Sequence, residues 1–157
     1  MSLREKLRQL QTNTPPADAG EVIATWRRAV EDLYGKVQVY LADYASEGLV
    51  SFETREVDRS EEGLGTYSIG ILVINMGQQV VVFSPAARYA IGGDGRVDVY
   101  VQGYLARGVR LRWLPSPSPT GTWAISLEAW VAPTQMRSTV RPLTKETLEE
   151  ALELLLG

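Results

Sequence analysis

A chain of 157 residues with 16 basic and 19 acidic side chains and 45% hydrophobic content suits one domain with a real core, and its composition excludes a disordered or fibrous class. It holds no cysteine and no histidine, which excludes disulfides, thiolate nucleophiles, sulfur-ligated metals, imidazole-based triads and the usual general base of neutral pH. The net charge of −3 is the wrong sign for a nucleic-acid-binding domain, so nucleic acid is not expected as a partner.

In chain order, Leu3, Leu7 and Leu10 recur at i, i+4 and i+7 and predict a short helical arm over residues 1–14 with one narrow apolar stripe. Such an arm is too small to be stable alone and has to dock on its own domain or on a partner. With charges throughout, it is expected to be neither a signal peptide nor a membrane anchor. No stretch of the sequence is long and apolar enough for a transmembrane helix, so a soluble cytoplasmic protein with no membrane partner is expected. Residues 15–157 read as a single α+β domain.

Behind Pro15 and Pro16, Asp18 and Glu21 have the spacing of a capping box. Val22, Trp26, Val30, Leu33, Val37, Tyr40, Leu41 and Tyr44 then recur every three or four residues. The pattern predicts a long amphipathic helix with Gly48 as its stop.

From residue 49 the period falls to two, with Gly, Pro and Asn as punctuation, which predicts strands near 49–57, 66–75, 78–85, 96–102, 108–114 and 122–131. An antiparallel meander of about six strands follows. Thr144 can cap a short C-terminal helix whose buried stripe is Leu148, Leu152 and Leu155, with Leu143 and Leu148 as a hydrophobic staple. The fold class is therefore α+β, a meander sheet flanked by a long N-terminal and a short C-terminal helix.

In YSIGILVINMGQQVVVF, a two-residue loop at Met76 and Gly77 would pair Val73 with Val80. One face of the hairpin is then Ile69, Ile71, Val73, Val80 and Val82, and the other is Leu72, Ile74, Val81 and Phe83. Both faces are apolar, so both need cover. The long helix is expected on one, and the C-terminal helix or another subunit on the other.

Residues 90–103, AIGGDGRVDVYVQG, invite a phosphate-loop reading. Neither Gly-rich nucleotide signature fits them and a strand follows instead of a helix, so they are read as a turn. Val97, Val99 and Val101 point inward and Asp98, Tyr100 and Gln102 outward. With Val99 facing Leu111, Asp98 meets Arg112 and Tyr100 meets Arg110; a shift of two residues keeps the faces and changes these pairs.

Residues 81–143 hold seven arginines against three acids, whereas 48–80 hold two basic and five acidic residues. Arg88, Arg96, Tyr100, Arg110 and Arg112 are accordingly the candidate binding residues, on an outer sheet face suited to an acidic partner or a phosphate. The alternative site is a pocket between helix and sheet walled by Trp26, Tyr40, Tyr44 and Trp113, for a small apolar or anionic ligand.

DRSEEG at 58–63 copies the start of a calcium loop, but its twelfth position is Ile69 instead of a glutamate. Asp94 and Asp98 could project on one side of a strand as an acid and base pair of a hydrolase or as a magnesium site, but Asp98 already has an arginine to pair with and no third ligand is evident. No cofactor or metal is expected. The function expected is that of a non-enzymatic protein-interaction domain that binds another protein or itself, as a homodimer, through an apolar sheet face or the N-terminal arm.

Overall fold

The computed structural model describes residues 2–4, 7, 19–88, 95–114, 121–126 and 140–157, with 104–107 as backbone alone. Helix α1 (Ala19–Tyr40) runs almost directly into a short helix α2 (Ala42–Ser46). Its buried side chains, Trp26, Ala29, Val30, Leu33, Tyr34 and Val37, keep the three- and four-residue spacing of one face. The expected single helix is thus broken at Leu41, and its second piece, α2, stops where the sequence predicts. Gly48 has φ 76°, and the bonds Gly48 N to Ala45 O and Leu49 N to Tyr44 O close a Schellman motif.

Seven strands follow in one antiparallel meander: β1 (Ser51–Glu61), β2 (Gly65–Met76), β3 (Gln79–Ala87), β4 (Gly95–Val101), β5 (Tyr104–Leu114), β6 (Thr122–Ser126) and β7 (Val140–Pro142). The added seventh strand is three residues long and lies at the sheet edge, where Pro142 is tolerated. Helix α3 (Lys145–Leu156) closes the chain. Its capping box has Thr144 at the N-cap, with Thr147 rather than an acid as the reciprocal partner. The Asp18 cap, the 91–94 turn and residues 127–131 of the expected sixth strand lie outside the described residues.

The β2–β3 loop is Gly77–Gln78, not Met76–Gly77, because the pairing runs from Met76–Gln79 to Leu72–Phe83. A two-residue turn of this kind takes a positive φ at its first position, which Gly77 supplies at 65°. Placing Met76 there would force a side-chain-bearing residue into that region. The loop moves by one residue and the register by two, so Val73 meets Val82 and Ile71, Val73, Val80 and Val82 keep one face; Ile69, expected beside them, instead joins the core cluster with Trp26 and Leu33.

The core lies between the sheet and both long helices. Leu72, Ile74, Val81, Phe83, Val97, Val99, Leu111, Trp113 and Ile125 form one buried cluster with Trp26 and Leu33 of α1 and with Leu148, Ala151, Leu152 and Leu155 of α3. The expectation that α3 might shield the second face of the hairpin is thereby corrected. It packs on the same face as α1, because its leucine stripe continues the layer that α1 begins.

Two glycines make room for the tryptophans of this layer. A Cβ on Gly95 would lie 2.5 Å from Cζ3 of Trp26, and one on Gly121 would lie 2.1 Å from Nε1 of Trp113. Gly95 therefore serves the core: it closes the glycine run because the Trp26 ring lies against its backbone.

Candidate functional site

The outer face is built by alternation. Each strand that turns Val97, Val99, Leu111 or Ile125 inward turns its neighbours outward. One cross-strand row there is Val73, Val82, Tyr100 and Gly108, and the next is Ser84, Asp98, Arg110, Ser126 and Val140. Arg96 lies opposite Arg112, which lies opposite Ala124. Val73 and Val82 are buried outside the core cluster, and Ile71, Val80 and Tyr100 are half-buried.

Asp98 organises the charges. Arg96 donates to it through two nitrogens, Nε to Oδ1 and Nη2 to Oδ2, each at 3.0 Å. The Arg110 Nε stands 3.8 Å from Oδ1 on the other side. The bidentate Arg96 and the neighbouring Arg110 hold Asp98 in place, and Arg112 leaves the patch with an excess of positive charge. The arrangement can receive carboxylates. Among the described residues no group of acids could hold a metal ion, and Asp94, the other half of the carboxylate pair, lies outside them.

The pairs on this face differ from the first register considered, in which Asp98 meets Arg112 and Tyr100 meets Arg110. Asp98 pairs with Arg110 and Tyr100 with Gly108, the two-residue shift. The cause is a register change between Tyr100 and Val101, where Val101 already pairs with Tyr104 across the turn.

Arg88 stands apart from Arg96, Arg110 and Arg112. Its guanidinium lies over the Trp113 ring at 5.0 Å, beside Glu21, Val22 and Thr25 of α1, and so belongs to the helix side of the sheet.

The four residues of the alternative pocket do not meet in one cavity. Trp26 packs on Trp113 with ring centroids 5.9 Å apart and on Trp123 at 6.0 Å, and these rings fill the core. Tyr40 and Tyr44 lie near the far end of the helical run, about 20 to 27 Å along it from Trp26.

Tyr44 instead lines an apolar cleft of about 320 Å³ with Leu41, Leu49, Val50, Met76, Leu152 and Leu156, bordered by Glu149 and Glu153. Its hydroxyl donates to Glu149 Oε1 at 2.9 Å. That carboxylate holds the phenol above its ordinary value of 10.0. Sequence periodicity names Tyr44 but not the cleft, because Leu49, Val50 and Met76 come from strand ends and connections.

The residues that join the two halves of the sheet also go unseen in the sequence. The Tyr34 hydroxyl bridges the carbonyls of Gly70, at 2.7 Å, and Phe83, at 3.3 Å, where β2 and β3 cease to pair. Burial raises this phenol well above its ordinary 10.0, offset in part by a backbone contact at Leu72 and by the charge of Arg59. Arg59 donates to Pro85 O at 2.8 Å and to Ser84 Oγ at 2.7 Å. Glu61 accepts from the Tyr67 hydroxyl and from the Arg88 N–H. The segment 58–63 is thus partly strand, and Glu61 is a structural acceptor.

No described helix is long and apolar enough to cross a membrane. The chain matches no known protein family, and no curated protein or solved structure is significantly similar to it.

Proposed function

We propose that the chain is a non-enzymatic protein-interaction domain that receives another protein on the outer face of its sheet and associates with itself through the N-terminal arm. One observation carries the reading. Helices α1 and α3 pack on one face, so the aliphatic row of half-buried Ile71 and Val80 over buried Val73 and Val82 belongs to the other, beside the cluster Arg96, Asp98, Arg110 and Arg112. An apolar strip rimmed by arginines suits a protein segment with aliphatic anchors and flanking carboxylates.

The test is affinity capture from the native cell extract with wild-type protein, Arg112→Glu and Val80→Lys. The expected result is a partner retained by the wild type and lost from both variants, in a salt-dependent manner. Identical captures by all three proteins would refute the assignment of this face.

A further inference from the structure

We infer that the cleft between α2, the β2 end and α3 is the receptor for the N-terminal arm of a second copy of this chain; this rests on the self-association proposed above and names its site. Leu3 and Leu7 of the arm are helical, yet 72% and 50% exposed, and neither lines the cleft. Leu3 and Leu7 thus lie open to solvent while an apolar cleft of about 320 Å³ lies open on the same molecule. The two surfaces match in charge as well. Residues 1–10 carry Arg4, Lys6 and Arg8 against the single acid Glu5, while the cleft is bordered by Glu149 and by the exposed Glu153.

The arm's place on its own molecule separates it from a partner's arm. Leu3 and Leu7 stand exposed and outside the cleft of their own chain, so they are open to the cleft of a second copy. Reciprocal exchange of two arms between two clefts gives a closed twofold dimer.

The absence of cysteine makes the test clean. Full-length Leu7→Cys protein is mixed with full-length Leu49→Cys protein and oxidised, with Val140→Cys, on the outer sheet face, and Val39→Cys, on the solvent side of α1, as alternative partners for Leu7→Cys. All three partner positions are exposed. The expected result is a covalent heterodimer with Leu49→Cys well above that with either of the others. Light scattering should show a dimer whose dissociation constant rises about fivefold in Glu153→Lys and recovers when Arg4→Glu is added.

A dimer that cross-links through Val140 or Val39 instead overturns the cleft assignment and leaves self-association standing. A monomer at every concentration overturns both. An intrachain Leu7–Leu49 disulfide in the double variant at high dilution, or a small apolar molecule co-purified in the cleft by native mass spectrometry, would also overturn the inference.

Discussion

Replacing Gly95 by alanine tests the packing on which the whole layer arrangement depends. The new Cβ would stand 2.5 Å from Cζ3 and 2.9 Å from Cη2 of Trp26, and 3.2 Å from Cβ of Trp113. Carbon atoms prefer separations of roughly 3.5 to 4.0 Å, so the first overlap is about 1 Å. Trp26 is fully buried between Trp113 and Trp123 and has nowhere to turn. Alanine in place of a strand glycine otherwise gains roughly 0.5 to 1 kcal/mol, whereas overpacking costs about 1 to 3 kcal/mol. The expected balance is a loss of about 1 to 2 kcal/mol, or a fall in Tm of roughly 2 to 8 °C for a chain of this size. Gly35→Ala supplies the contrast. It lies exposed in α1, nothing stands within 4 Å of the added Cβ, and stability should rise by up to about 1 kcal/mol. Urea denaturation measures both. Repeating Gly95→Ala in a Trp26→Phe background removes the atoms it strikes, so most of its cost should disappear. Equal cost in both backgrounds, or a Gly95→Ala protein as stable as wild type, would refute the close approach.

Tyr34→Phe should lower stability by about 1 to 2 kcal/mol in urea, because two buried carbonyls lose their shared donor. The same variant should change the alkaline limb. Tyr34 is held protonated in the fold above its ordinary 10.0, so its contribution is complete below pH 10 and is lost as pH rises beyond it. Denaturation at pH 8, 10 and 11 should show a smaller alkaline loss in Tyr34→Phe than in wild type. Thr144→Ala removes the acceptor of the Thr147 N–H and should cost about 1 kcal/mol in a thermal melt followed by circular dichroism. Arg96→Ala should leave the fold cooperative and weaken capture of the outer-face partner, since Asp98 then loses its bidentate cation.

Periodicity made the local part of this fold legible. The apolar face of α1, the stop at Gly48 after α2, the Thr144 cap and the inward set Val97, Val99 and Val101 all follow from spacing, and each is where spacing puts it. Register was legible only up to a shift of two. Alternation fixes which face a residue takes, and a two-residue slip leaves that unchanged. The pairing Asp98–Arg110 needed the irregularity after Tyr100, and the loop at Gly77 needed a turn argument that outweighs even spacing. The layer assignment was not legible, because both helices carry one apolar stripe and a stripe does not say which side of a sheet it will cover. The same is true of the tryptophans. Their chemistry suits a ligand wall, and only the glycines at 95 and 121 show that three indoles are pressed together as core.

The junction in the sheet explains why the core is closed around the tryptophans. β2 and β3 pair only over Leu72–Met76 and Gln79–Phe83, so the rest of β2 follows β1 while the rest of β3 follows β4. Backbone groups along such a divergence need other partners. Tyr34, Arg59 and Glu61 supply them from α1 and β1, and Arg27 Nε adds a bond to Ser68 O at 2.6 Å. With the divergence satisfied, the β1–β2 tip can fold in, and Leu64 and Tyr67 are buried in the same cluster as Trp26. The indole end of the core is thereby closed, with the Trp26 N–H buried beside Tyr67 and making no hydrogen bond of good geometry among the described residues. The two surfaces proposed for docking, the arginine-rimmed outer face and the cleft beside Tyr44, lie away from the tryptophans. A ligand site among the tryptophans would require the junction to open, whereas docking on either remaining surface asks nothing of the core.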